Sequence, residues 1–242
     1  MLGRSLSIST KIIFDWLLPY FDIIASMNSK KVSFISNHDT RCVPCTFGMG
    51  LAYFSPKLKF TMKELENFCG FKEGHGTWKA EAMLGMARLG YEVYWIEQFD
   101  FNSFSNNPEA YLRSILSDEV YKEQASNTDL QLEAKRMKKY INSGLPLEYR
   151  QGTNDDIKDF LDDGWLVHLE VNARTLAGRS GYDGHSILVT GYNDDEVIIQ
   201  NPDSDNGNQP NQHVSWQVLN EAWKAFGGSY SLHAFKGPDT PQ

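Results

Sequence analysis

The sequence predicts an α+β fold in which an N-terminal helical layer packs on an antiparallel sheet. Three observations point there. Capped, helix-period apolar segments occupy the first half of the chain, beginning at CVPCTFGMGLAYF (42–54). Three β-branched apolar runs follow, Trp165 to Val171, His185 to Tyr192 and Glu196 to Gln200, with Asn193-Asp194 as a turn; this spacing reads as an antiparallel meander. With 242 residues, 41% hydrophobic and 13% aromatic, the chain can fill a sizeable core. Helices first and sheet second is an α+β layout.

Taken in order, residues 1–30 form an extension or an extra helix. KIIFDWLLPYFDIIAS (11–26) is rich in large apolar side chains, but Asp15, Pro19 and Asp22 interrupt it, so it falls short of a membrane span. A packing helix, a weak signal or anchor, and a start codon assigned too far upstream of Met27 all fit this stretch. The main domain covers 31–236. It opens on a short strand, KVSFIS (31–36), and an Asn37–Thr40 turn. Pro44 suits the first turn of the helix from Cys42, and Gly48 and Gly50 call for close packing by another element. Thr61-Met62-Lys63-Glu64 is a capping box for a helix to about Cys69. Thr77 caps a further helix through Leu89, closed by Gly90, and YEVYWI (91–96) is a strand. Residues 102–150 turn polar, with helical periodicity at Pro108–Val120 and Leu130–Tyr140, and read as a helical insertion with weak apolar stripes. Thr153 starts a helix that ends at Gly164; a helix at about Trp216–Phe226 and a strand near Tyr230–Phe235 follow the meander, and 237–242 form a tail.

The formal net charge is −8, from 23 basic and 31 acidic side chains, which argues against nucleic acid as partner. The cluster Lys135-Arg136-Met137-Lys138-Lys139 reads as a solvated helix face. Three cysteines make no disulfide framework and fit a reducing compartment or a reactive thiol, so a cytoplasmic location is expected. No cofactor is called for, no membrane span is expected, and the oligomeric state is left open.

Cys42 follows a turn and opens an apolar helix. Unpaired N–H groups and the helix dipole there favour a thiolate and can hold an oxyanion. His185, in GYDGHSILVTGY, is a glycine-flanked imidazole entering an apolar strand. Asn201 ends the strand VIIQ before Pro202, where a carboxamide can hold the imidazole's other nitrogen. Cys, His and Asn in this order follow the logic of nucleophile, base and orienting group.

With these residues the chain resembles the C39-like branch of the papain-like cysteine peptidases. The matching series runs CVPCTFGMGLAYF (42–54), TMKEL (61–65), GTW (76–78), LGYEV (89–93), DDIKDFLDDGWLVHLEV (155–171), GHSILVTGYNDDEVIIQNP (184–202) and VLNEAW (218–223). It covers about 32–236 apart from 102–150. The resemblance implies a papain-like fold, a peptide or protein substrate, and acyl transfer to water through a thioester, with Cys42 as nucleophile, His185 as general base and Asn201 as orienting residue. Transfer of the acyl group to an amine is the acyltransferase variant of the same chemistry. There are departures: Val43 replaces the usual glycine, Asn201 stands where aspartate is commoner, and the oxyanion glutamine is missing, with Asn37 as candidate donor. Cys42-Val-Pro-Cys45 is also a thioredoxin-like C-x-P-C dithiol. Cys42, Cys45, Cys69 and His75 have loose zinc spacing. A non-catalytic papain-like binding protein is the remaining alternative.

Overall fold

The structure is a computed structural model that describes residues 28–224 and 228–238. The extension is therefore outside the described residues up to Met27, as are 225–227 at the end of the Trp216 helix and 239–242 of the tail. The sheet holds β1 (Asn28–Ser29), β2 (Glu92–Ile96), β3 (Leu147–Glu148), β4 (Leu166–Asn172), β5 (Gly184–Tyr192), β6 (Glu196–Asn201), β7 (Gln209–Ser215) and β8 (Leu232–Lys236). Its order is β3-β2-β8-β4-β5-β6-β7, with β1 paired to β5. Every pairing is antiparallel except β2 with β3. The β4-β5-β6 meander is the one the sequence predicts.

The helices are α1 (Cys42–Phe54), α2 (Met62–Cys69), α3 (Ala80–Arg88), α4 (Phe101–Asn106), α5 (Pro108–Ile115), α6 (Asp118–Asn127), α7 (Leu130–Asn142), α8 (Asn154–Asp162), α9 (Ala173–Leu176) and α10 (Trp216–Trp223). Thr61 and Thr153 each complete a capping box, with Glu64 and Asp156. Two apolar clusters cover the two faces of the sheet. One joins Phe47 and Met49 of α1 to Met83, Leu188 and Phe235; the other joins Ile157, Leu219 and Trp223 to Val167, Ile187 and Ile199. With both faces covered, β4 reads LVHLEVN with almost every residue buried rather than alternating. The glycines of α1 let it lie close to its neighbours: a Cβ on Gly50 would strike the Phe235 ring, and one on Gly48 the Leu65 side chain.

Four expectations are corrected. Lys31–Ser36 is not a strand. The pairing with β5 ends where Lys30 N–H donates to Thr190 O, and the chain then leaves the sheet edge toward α1. Thr77 does not cap α3, whose cap position is Lys79. Residues 76–78 form no regular element, are tied by the Gly76 N–H to Asn127 O bond, and carry Trp78 onto Phe104 at 4.7 Å between ring centroids. The predicted Pro108–Val120 helix breaks at Leu116, because Ser117 caps a new helix by accepting from Val120 N–H. Residues 102–150 are also not weakly striped. Leu112, Leu130, Ala134, Met137 and Tyr140 are buried in the same cluster as Phe47, and Tyr140 meets Trp95 at 4.9 Å between ring centroids. Much of the polar composition belongs to their outer face, although Gln124, Thr128 and Glu133 are buried.

Candidate active site

Cys42 is the first residue of α1, so its N–H and that of Val43 have no intrahelical acceptor. The turn before it is built by Asn37, whose Oδ1 accepts from Arg41 N–H at 3.0 Å and whose Nδ2 donates to Asp39 O at 2.9 Å. Asn208 clamps the same residue by donating Nδ2–H to Asn37 O and accepting Asn37 N–H on Oδ1. This clamp ties the loop after β6 to the start of α1, and so fixes the thiol against the end of the sheet.

His185 lies one residue into β5, opposite Val171 of β4. It is buried, and its Nε2 lies 2.8 Å from Asn201 Oδ1. Asn201 ends β6, and its Nδ2 in turn donates to Gln212 Oε1 of β7 at 2.8 Å. That second bond fixes which way the amide points, so Oδ1 is the atom that faces the ring. With Nε2 taken, Nδ1 is the ring nitrogen left for the hydrogen bond to Cys42. Cys42, His185 and Asn37 line one cavity, and Asn201 reaches the site through its bond to His185.

Burial acts first on both titrating partners and would neutralise each. It is overcome in both. The Cys42 thiol is held below its ordinary value by the hydrogen bond and positive charge of His185, the Lys79 ammonium and the Ser186 backbone. His185 is held above its ordinary value by Cys42, then by the Asn201 amide and the Asp203 carboxylate. The arrangement favours a thiolate–imidazolium pair. The other cysteines go the opposite way. Cys45, one helical turn along and fully buried, is pushed up to about 12 by burial and the neighbouring Cys42, and Cys69 is pushed up by burial. Cys45 points its sulfur at Ser36 O, 3.5 Å away, so the C-x-P-C pair is a cavity-facing thiol and a core-facing one.

The cavity beside Cys42 has a volume of about 360 Å³. Its walls come from the α1 start, the 74–79 loop, α6 with Glu123, Gln124 and Asn127, the β4–β5 end and the 203–205 loop. Sequence reasoning missed several of its residues. Lys79 and Glu170 form an ion pair there with both side chains largely withdrawn from solvent. The signal was present: a glutamate inside the apolar run LVHLEVN is a buried charge that needs a partner. Behind them Glu97 is pushed up to about 7 by burial and the Glu170 carboxylate. Asp203 does not hydrogen-bond His185; it closes its own loop by accepting from the N–H groups of Asp205 and Asn206.

A model of the Peptidase_C39 like family matches residues 29–231. No curated protein matches the chain. Among solved structures the chain is similar to a double-glycine-motif protease from an AMS/PCAT transporter, in complex with the leader peptide. The identity is 11%, the TM-score 0.45, and the match covers 86% of this chain and 94% of that one. It is similar to the peptidase domain of Streptococcus ComA, a bifunctional ABC transporter of a quorum-sensing pathway, with 13% identity, a TM-score of 0.45 and coverage of 86% and 99%. A chain described as a C39-like peptidase from Bacillus anthracis is similar at 11% identity, a TM-score of 0.47 and coverage of 87% and 97%.

Proposed function

The chain belongs to the C39-like peptidase family, and from that premise we propose that it is a cysteine peptidase acting on a peptide or protein through Cys42, His185 and Asn201. The observation that carries this reading is Asn201 Oδ1 at 2.8 Å from His185 Nε2, with Cys42 and His185 side by side in one cavity and each shifting the other's titration toward the ion pair. The Cys42 thiolate attacks the scissile carbonyl carbon, and the electron pair moves to the oxygen. The N–H groups at the start of α1 receive that oxyanion, as does the Asn37 amide proton not used by Asp39. His185 gives its proton to the leaving amine as the C–N bond breaks, leaving a thioester on Cys42. The imidazole then takes a proton from water, which attacks the thioester and releases the acid. An amine in place of that water would make the same site an acyltransferase.

The dithiol alternative loses ground on Cys45. A buried thiol pushed up to about 12 is a poor partner for exchange with Cys42. Iodoacetamide alkylation of each cysteine near pH 6, read by mass spectrometry with Cys42→Ala as control, tests the reading. Cys42 is expected to react at least about tenfold faster than Cys45 or Cys69. Equal rates, or ready formation of a Cys42–Cys45 disulfide, would remove it.

A further inference from the structure

The charge of the cleft is lopsided. Six carboxylates and a single lysine line the cavity that holds Cys42 and His185. The lysine is spent, since Lys79 is paired with Glu170. That leaves Asp39, Glu123, Asp183, Asp203 and Asp205. Of these, only Asp39 has an ion pair among the described residues, with Arg41 at 3.7 Å. Asp183 stands two residues before His185 and is half-buried. Burial raises its carboxyl, and Asp203 and Asp205 raise it further, against the pull of His185 and Arg174. Glu123 faces them from α6, its nearest partner the neutral amide of Asn127 at 2.9 Å. The positive charges near the cleft, Arg41, Arg174 and the His185 ring, are fewer than its carboxylates, and Glu123 and Asp205 have no ion pair among the described residues, so a cation entering beside them is favoured. A second observation belongs to the ligand itself. Thr77, buried on the wall of the same cavity, has an Oγ1 with no hydrogen-bond partner. A substrate amide or carbonyl is the kind of group that would satisfy it.

We infer that the cleft selects cationic peptides, with a lysine or arginine within a residue or two of the bond presented to Cys42, and that Asp183 and Asp205 on one wall and Glu123 on the other are the residues that read it. The inference rests on the peptidase reading for the identity of the cleft. Its own content is the charge of the substrate. A negatively charged wall also repels acidic peptides, so the selection works by exclusion as well as attraction.

The test uses three dye-labelled peptides that are identical except for lysine, norleucine or glutamate at two central positions. Binding to Cys42→Ala protein is read by fluorescence anisotropy, and cleavage by the unmodified protein is read by mass spectrometry. The lysine peptide is expected to bind about tenfold or more tightly than the glutamate peptide, with norleucine between. The gap should narrow as salt is raised and shrink severalfold in Glu123→Gln, Asp205→Asn protein. Equal binding of the three, or tighter binding of the glutamate peptide, overturns the inference. If the protein cuts none of them while binding follows the charge order, the charge reading stands and the peptidase reading fails. Equal cleavage of all three does the reverse.

Discussion

Three histidines are buried in neighbouring strands of one sheet, and they are driven in opposite directions. His185 on β5 is held above the ordinary imidazole range; His168 on β4 and His233 on β8 are pushed well below it. Burial penalises the charge in all three, so burial cannot be what separates them. The partners do. His185 has an acceptor on one ring nitrogen and an ionisable thiol on the other. His168 and His233 have chiefly each other, Nδ1 to Nδ1 at 3.2 Å, where one ring can donate only if the other stays unprotonated. Ser231 Oγ sits 3.4 Å from His233 Nε2, and His168 Nε2 has no partner. The Lys79 ammonium adds to the penalty on both rings, with His185 further lowering His168 and His168 further lowering His233. Phe47 covers His168 at 5.1 Å between ring centroids. A buried imidazole is therefore a core residue or a candidate base according to what holds its two nitrogens.

The sharpest way to break this comparison is to remove each kind of histidine in turn. His185→Ala is expected to lower peptide hydrolysis by about 10²–10⁴-fold, the usual contribution of a positioned acid–base group. It should also slow Cys42 alkylation near pH 6, because the thiolate loses its counter-ion. The double replacement His168→Leu, His233→Leu should leave both rates within about threefold of wild type, since neither ring touches Cys42. A comparable loss in the double variant would mean that the buried pair serves the chemistry. The unmodified protein should show a bell-shaped rate profile. Its acid limb lies below the ordinary thiol value, where Cys42 gains its proton, and its alkaline limb lies above the ordinary imidazole value, where His185 loses its own.

The same contrast predicts a stability effect of smaller reach. A histidine whose folded value is depressed binds fewer protons in the folded state than in the unfolded chain, so stability is lost as pH falls through the unfolded value near 6.5. Each such ring contributes a slope of up to about 1.4 kcal/mol per pH unit in that window. His185 has the opposite sign: its raised value stabilises below the unfolded value and is lost as pH rises through the folded one. Urea midpoints measured between about pH 5 and 7 should fall steeply on the acid side in the wild type. They should fall less steeply in the His168→Leu, His233→Leu protein, whatever its absolute stability. An unchanged slope would mean that the pair is protonated in the fold.

What the sequence made legible follows the range of the interactions involved. The capping boxes of α2 and α8, the start of α1 at Cys42 and the β4-β5-β6 meander depend on residues a few positions apart, and the sequence carries them openly. The glycines beside His185 and the proline after Asn201 likewise mark their own places. β8 lies between β2 and β4, and its pairing with β2 spans more than a hundred residues, which no local pattern encodes. β7 reads QPNQHVS, polar and broken by Pro210, because it is a sheet edge with little to bury. The inward stripe of α7 was hidden by its charged outer face, where Lys135 and Lys138 alternate with Met137 and Tyr140. Lys79 entered the site unannounced because its partner Glu170 lies far along the chain, and Gln212 because it sits on the polar edge strand β7, whose pattern does not mark it.

The smallest expected effects lie along the support of His185, and they decide how much of its behaviour is orientation. Asn201 accepts from His185 without carrying a charge, and Gln212 holds Asn201 in turn. Asn201→Ala removes the acceptor and leaves a buried ring nitrogen unpaired, a cost of about 1–3 kcal/mol, or a loss of about tenfold to a hundredfold in hydrolysis. Asn201→Asp keeps an acceptor in place and should lose less. Its added negative charge should also move the alkaline limb of the rate profile to higher pH, since a carboxylate stabilises the imidazolium more than an amide does. Gln212→Leu leaves Asn201 in place but frees its amide to turn, presenting Nδ2 to the ring for part of the time. A loss of about twofold to fivefold is expected, a fraction of one hydrogen bond's net worth, with the limbs of the profile unmoved because no charge has changed. If Asn201→Ala, Asn201→Asp and wild type are equally active, Asn201 has no part in orienting His185. If Gln212→Leu shifts the pH profile, Gln212 acts on the ring's charge and not on its direction, and the hydrogen-bonded line from Cys42 ends at a different residue.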